Sequence, residues 1–282
     1  MRSTPFTLSS ASAQSLLFIL LLNLSITMQG HAAEPQKNQQ TITSTPWAYR
    51  IIDEQPHTPA SFIQGWQLSQ DGNSFYESSG LYGKSFIIQY DRNNKPLQRK
   101  QLPSKVFAEG LAELNGKLYV LSWKSRTAYV FNSRNFSPIT QHSYKGEGWG
   151  LTHNQHELIM SNGSNTLTFL EPSTFTPKRT ISISDGSQKH WKKLNELEFA
   201  HGLIWANIWQ EPTILAINPS NGSIQGIINL TSLVRANTTT PHHETLNGIA
   251  YDPIRKGFWV TGKLWKKRYL IEIITPEGQS LH

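Results

Sequence analysis

The sequence predicts an all-β fold: a five-bladed β-propeller whose ring is closed by an N-terminal strand that completes the last blade. Three observations carry this prediction. A short phrase recurs five times, strand-forming runs follow each occurrence in a fixed order, and no long run places apolar residues at helical spacing.

The phrase appears as Phe62-Ile63-Gln64-Gly65-Trp66, Ala108-Glu109-Gly110-Leu111, Gly148-Trp149-Gly150-Leu151, Leu194-Asn195-Glu196-Leu197 and Leu246-Asn247-Gly248-Ile249. With Gly65, Gly110, Gly150, Glu196 and Gly248 as markers, the gaps are 45, 40, 46 and 52 residues, a spacing typical of repeat architectures. The residue beside the marker varies: Gln64, Glu109, Trp149, Asn195, Asn247. Arranged around an axis, these five side chains converge.

After each phrase comes a second run rich in β-branched and aromatic residues, such as Lys117 to Trp123 or Leu203 to Trp209. A third run follows, as in Thr127 to Phe131, and then a turn of Asp, Asn, Pro, Ser or Gly, as in Asn218-Pro219-Ser220-Asn221-Gly222. A fourth run closes the unit, as in Lys178 to Ser184 and Gly226 to Leu230. Four strands in each of five repeats is the pattern of a propeller. The last repeat lacks its fourth run, and the spare strand Trp47 to Ile52 supplies it, which removes exposed sheet edges. A β-sandwich leaves the repeat unexplained, and a β-solenoid has shorter, more regular turns.

Residues 1–33 read as a secretory signal peptide, with Arg2 ahead of the apolar run Leu16 to Leu22 and Ala32-Ala33 before a polar stretch. That run is too short to span a bilayer. Residues 34–45 read as a flexible leader and 46–282 as the propeller. The chain is therefore expected to be exported, periplasmic or secreted, with no stable membrane insertion after cleavage. It has no cysteine, which excludes thiol nucleophiles and Cys-ligated metal sites. The net charge of +7 is scattered, without the basic stripe interleaved with aromatics that nucleic-acid binding needs.

Glycines in the marker phrases permit close backbone approach at the axis. They do not explain the polar groups beside them, because a buried Gln, Glu or Asn is unfavourable unless hydrogen-bonded or functional. Metal ligation is only weakly signalled: His153 and His156 lack a zincin frame, and His242-His243 lies in a Thr-rich loop. A Gly-x-Ser-x-Gly elbow is absent. Trp47, Trp191, Trp205 and Trp259 are expected to fill gaps between blades. Glu196 and Glu198 flank Leu197 on one strand face.

Eight stretches in order resemble the glutaminyl-peptide cyclotransferases of plant and bacterial type. They are Phe62-Ile63-Gln64-Gly65, Glu77 to Gly83, Glu109-Gly110-Leu111, Gly148 to Thr152, Leu194 to Glu198, Trp205 to Gln210, Leu246 to Ala250 and Val260 to Trp265. Departures from the family pattern include Ile63, Trp66, Ala108, Asn162 and the loop before Trp191. The resemblance implies a five-bladed propeller that cyclises N-terminal glutamine to pyroglutamate and releases ammonia. It implies Glu109 as general acid/base, with Lys263 and Asn195 in the catalytic set. Gln64, Trp123, Trp149 and Trp209 are implied as the substrate-binding residues. The chemistry agrees: one carboxylate can take a proton from the attacking amine and return it to the leaving ammonia. Donors set in place would meet the charge that develops on the carbonyl oxygen. No cofactor and no metal are expected, the partners are peptides or proteins with N-terminal Gln, and a monomer is expected. Glu109 could instead be a structural acceptor, and Lys263 a surface lysine. The rival functions are a non-catalytic propeller that binds peptide N-termini and a lactonase-type hydrolase.

Overall fold

Each marker phrase opens a four-run unit, and each unit folds as an antiparallel sheet. A computed structural model describes residues 45–57, 61–187, 191–240 and 243–281. The signal peptide expected at 1–33, leader residues 34–44 and His242 lie outside the described residues. Strand β1 (Thr45–Pro56) comes first. A four-stranded sheet follows from β2 (Ile63–Leu68), β3 (Ser74–Ser79), β4 (Phe86–Asp91) and β5 (Pro96–Gln101). The next contains β6 (Ala108–Leu114), β7 (Lys117–Ser122), β8 (Thr127–Asn132) and β9 (Pro138–Ser143). The third contains β10 (Leu151–His153), β11 (Leu158–Met160), β12 (Thr166–Leu170) and β13 (Pro177–Ser182). Then come β14 (Leu194–Ala200), β15 (Leu203–Ile208), β16 (Thr213–Ile217) and β17 (Ile224–Asn229). A short helix, α1 (Thr231–Asn237), precedes β18 (Leu246–Asp252), β19 (Gly257–Gly262) and β20 (Lys267–Ile274).

The sequence runs and the strands agree to within a residue or two. The first strands are buried at almost every position, so they carry no alternation. The fourth strands alternate or are exposed, and they are built from residues such as Pro96-Leu97-Gln98-Arg99-Lys100-Gln101. Third and fourth strands are joined by turns in which Asp91, Asn132 or Asn218 accepts a backbone N–H two residues on, which is why Asp and Asn recur there.

β1 pairs with β20 antiparallel from Ala48 to Pro56, as the spare strand was expected to do. Its first three residues also pair with β17 in parallel, which joins the last two sheets into one eight-stranded sheet. That second pairing has no sequence signal. Nor has α1, whose seven residues are too few to display a helical period. This helix and the loop after it account for the longest gap between markers, and Leu233 anchors the helix in the core.

The first strands touch in the order β2, β6, β10, β14, β18, and β18 in turn touches β2. The glycines allow this. A side chain on Gly65 would strike the backbone of Gly110 and Leu111, one on Gly110 that of Gly150 and Leu151, and one on Gly150 that of Asn195 and Glu196. Where the fourth phrase has Glu196 in place of glycine, the carboxylate occupies the central space. It accepts the Ile249 N–H at 2.9 Å and the Trp66 N–H at 3.3 Å, strapping β14 to β18 and β2. Asn247 donates to the carbonyls of Ile63 and Gln64, at 3.0 and 3.4 Å. Asn207 accepts the Gly248 N–H at 3.0 Å.

Between sheets lie apolar clusters that draw on both neighbours, such as Tyr76 and Ile87 with Leu111, Leu118 and Val120. Trp191, Trp205 and Trp259 are buried and Trp47 packs on Trp205, as expected; Trp66 and Trp265 join them in the core. Arg92 and Asp252, 2.7 Å apart, tie the first sheet to β18. Among the described residues no helix is long and apolar enough to cross a membrane.

Two stability outcomes follow. Glu196→Ala strips two buried N–H groups of their acceptor, and urea unfolding is expected to register a loss of about 3 kcal/mol. Glu198 is buried on the same strand, and burial pushes its carboxyl up to about 8 in the folded chain. The folded state therefore holds that proton more tightly than the unfolded chain. The stability this supplies is complete below the ordinary carboxylate range and lost as pH rises through about 8. Urea midpoints are expected to fall over that interval, and to fall less in Glu198→Gln.

Candidate active site

In an antiparallel pair, the start of one strand lies beside the end of the next. That places the residue leading into a first strand opposite the residue leaving the second. The Trp123 N–H donates to the Phe107 carbonyl, the Trp209 N–H to the Lys193 carbonyl and the Lys263 N–H to the Thr245 carbonyl, each at 2.9 Å. Trp123, Trp209 and Lys263 thus hold one equivalent position in three of the four-strand units. Gln64, Glu109 and Asn195 hold another, inside irregularities of β2, β6 and β14 at Ile63/Gly65, Ala108/Leu111 and Leu194/Leu197. A bulge turns a side chain away from its regular face. Here the bulged residues point to the centre, and the variable positions of the repeated phrase are those residues.

The two sets meet in a cavity of about 280 Å³. All seven residues expected from the sequence line it: Glu109, Lys263, Asn195, Gln64, Trp123, Trp149 and Trp209. Asn247, the fifth variable residue, does not; it is spent on the strap to β2. Phe62, Phe107 and His243 also line the cavity and were not expected there. The two phenylalanines had a signal, because each stands two residues before a pocket residue, in Phe62-Ile63-Gln64 and Phe107-Ala108-Glu109. His243 is exposed at the mouth.

Aromatic rings form the walls. Trp149 and Trp209 meet edge to face with centroids 5.6 Å apart, Phe107 meets Trp123 at 5.6 Å, and Phe62 meets Phe107 at 6.3 Å. The polar groups lie within this apolar surround. Glu109 is only 6% exposed, and its Oε1 accepts an N–H from Gln64 Nε2 at 3.2 Å. Burial pushes its carboxyl well above the ordinary range; Lys263 draws it back down and Glu147 pushes it up. Lys263 is 5% exposed, with its ammonium 4.8 Å from the centre of the Phe62 ring. Burial lowers its pKa to about 8, against the opposing pull of Glu109.

Two buried acceptors in the cavity, Gln64 Oε1 and Asn195 Oδ1, have no hydrogen-bond partner among the described residues. Leaving such atoms unpaired is unfavourable, which marks both as acceptors short of a donor. Chemically, the cavity offers a carboxyl and an amine whose proton affinities lie closer together than in water, two acceptors and a rigid aromatic enclosure. Among the described residues no three His, Asp or Glu side chains form a metal-ligand set. His153 contacts Gln67 at 3.0 Å, and burial lowers it to about 4.

Three comparisons show what the chain is similar to. The model of the family described as glutamine cyclotransferase matches residues 22–273. A glutaminyl-peptide cyclotransferase of Arabidopsis thaliana is 35% identical over 237 residues, covering 82% of this chain and 72% of the relative. The crystal structure of Myxococcus xanthus glutaminyl cyclase matches with a TM-score of 0.73 at 32% identity, covering 82% of this chain and 98% of that one.

Carbon-13 NMR of the Glu109 carboxyl is expected to show ionisation above the ordinary carboxylate range. Lys263→Met moves it higher still, because a favourable counter-charge is lost. An ordinary carboxylate titration in both proteins would contradict this picture of the site.

Proposed function

The chain belongs to the glutamine cyclotransferase family, and from that premise we propose that its cavity converts N-terminal glutaminyl residues of peptides to pyroglutamyl residues. The observation that carries the assignment of roles is the buried Glu109 carboxyl, sharing one aromatic enclosure with Lys263 and two unpaired carboxamide oxygens.

In the reaction, the substrate's α-amine attacks its own side-chain carboxamide carbon. A five-membered lactam forms, the carbon–nitrogen bond to the carboxamide nitrogen breaks, and ammonia leaves. The nucleophile belongs to the substrate, so no covalent enzyme intermediate is needed. An α-amine of pKa about 8 attacks as the free base. As its bond to the carboxamide carbon forms, Glu109 takes a proton from the attacking nitrogen as base and returns it to the departing nitrogen as acid. Its raised pKa suits both steps, because a carboxyl nearer neutrality holds and releases a proton with less penalty.

Lys263 faces the negative charge that develops on the carbonyl oxygen. Asn195 Oδ1 and Gln64 Oε1 accept N–H groups from the carboxamide or the amine. Trp123, Trp149 and Trp209, with Phe62 and Phe107, hold the glutaminyl side chain folded and exclude water. Such pre-orientation is the main advantage available to a ring closure within one molecule.

The five four-strand units are proposed as the blades of a propeller around the first strands, with β1 closing the ring. The contact of β18 with β2 and the pairing of β1 with β20 support this. Residues 1–33 are proposed as a signal peptide that exports a monomeric enzyme.

Purified protein incubated with a Gln-initiated peptide is expected to release ammonia above the spontaneous rate. Glu109→Gln is expected to lose on the order of 10²- to 10⁴-fold in kcat, the usual contribution of a positioned acid–base group. No release by the wild type would sink the assignment, and full activity in the variant would remove Glu109 from it. The kcat/KM profile, which reports the free enzyme, should rise with pH as Glu109 loses its proton and fall as Lys263 loses its own near about 8. In Lys263→Met the alkaline fall should vanish and the acid rise should move to higher pH.

A further inference from the structure

Glu147 lines no part of the cavity, yet it holds two of its walls. Its Oε2 accepts the Trp123 indole N–H at 2.7 Å and the Trp149 indole N–H at 3.0 Å. Trp123 follows β7 and Trp149 leads into β10, so one carboxylate oxygen links walls contributed by two sheets.

The segment that carries Glu147 is itself fixed. The Tyr144 hydroxyl donates to the Ser122 carbonyl, and the Tyr144 ring occupies the space that a side chain on Gly148 would need. The Gly148 N–H faces the Trp123 carbonyl at 3.4 Å, and the Trp149 N–H donates to the Ser161 carbonyl at 3.0 Å. An indole has a single donor, and a bond at that donor fixes the tilt of the ring. An anionic acceptor makes such a bond shorter and stronger than a neutral one.

We propose that Glu147 is a positioning residue for the cyclisation, one that locks two indoles at the angle which folds the glutaminyl side chain onto its own amine while placing a second negative charge beside the acid–base carboxyl. The inference rests on the reading of the cavity as the cyclisation site. The charged and titratable groups in reach of Glu109 are Lys263, Glu147 and Tyr144, with His243 at the mouth. Lys263 favours the ionised Glu109 and Glu147 opposes it. Tyr144 is pushed up and stays neutral.

Two variants of the full chain test this, Glu147→Gln and Glu147→Ala, with kinetics on a Gln-initiated peptide and nitrogen-15 NMR of the indole N–H groups. Glu147→Ala should raise KM on the order of tenfold, as loss of hydrogen bonds to a charged acceptor implies. The indole N–H signals of Trp123 and Trp149 should move upfield in the same protein. Glu147→Gln keeps a neutral acceptor but loses the charge, so the acid rise of kcat/KM should shift to lower pH. A purely structural role would lower stability and leave that rise in place.

Unmoved indole signals in the alanine variant, or an unmoved acid rise in the glutamine variant, would overturn the proposal. Should the alanine variant fail to fold, the glutamine variant decides alone. If the wild type releases no ammonia, the cyclisation reading fails, while the indole signals still report whether Glu147 holds the two rings.

Discussion

The structure depends on crowding at its centre. Three of the five first strands approach the next where a side chain is missing: Gly65, Gly110 and Gly150 each stand against the backbone of the following strand. The fourth phrase breaks the pattern with Glu196, whose carboxylate fills the space and bonds to β2 and β18 together. Burial, with Glu198 beside it, pushes the Glu196 carboxyl well above its ordinary range, and a buried carboxyl is an unfavourable choice unless its oxygens are satisfied by donors. Here each oxygen meets a backbone N–H. The centre is thus held by backbone hydrogen bonds to one side chain as well as by apolar packing between sheets.

The same crowding makes the site. Strands that converge cannot keep a regular ladder at their starts, and the irregularities in β2, β6 and β14 turn Gln64, Glu109 and Asn195 inward. Antiparallel pairing brings Trp123, Trp209 and Lys263 to the same level. An enclosure built this way is poorly solvated, so both ionisable groups shift: Glu109 upward, Lys263 down to about 8. On the proposed mechanism, the shift fits a single carboxyl for two opposite proton transfers. The device that packs the fold and the device that tunes the chemistry are therefore one device.

Much of this was legible in the sequence, because the repeat carries it. The phrase and its spacing point to the first strands, and the runs after it to the hairpins. The family resemblance points to seven site residues, and the cavity brings all seven together. Asn247 shows the limit of reading by equivalence: it stands in register with Asn195, yet the structure uses it to bind the carbonyls of Ile63 and Gln64. Phe62 and Phe107 were readable as a paired aromatic two residues upstream of a pocket residue. His243 was not, because it reaches the mouth from a loop outside the repeat. The parallel contact of β1 with β17 was illegible for a similar reason, since three residues of backbone pairing leave no periodic trace. Glu147 sits one residue before the third phrase, and only the positions of two indole nitrogens give it meaning.

The central claim is that the Glu109 carboxyl meets the amine it is proposed to deprotonate. A crystal structure of Glu109→Gln holding an uncyclised Gln-initiated peptide tests this most directly. The account predicts the peptide's α-amine within hydrogen-bond reach of residue 109, about 2.6–3.2 Å, with its side-chain carboxamide beside Asn195, Gln64 and Lys263. A peptide terminus seated elsewhere, or an α-amine turned away from residue 109, would contradict it.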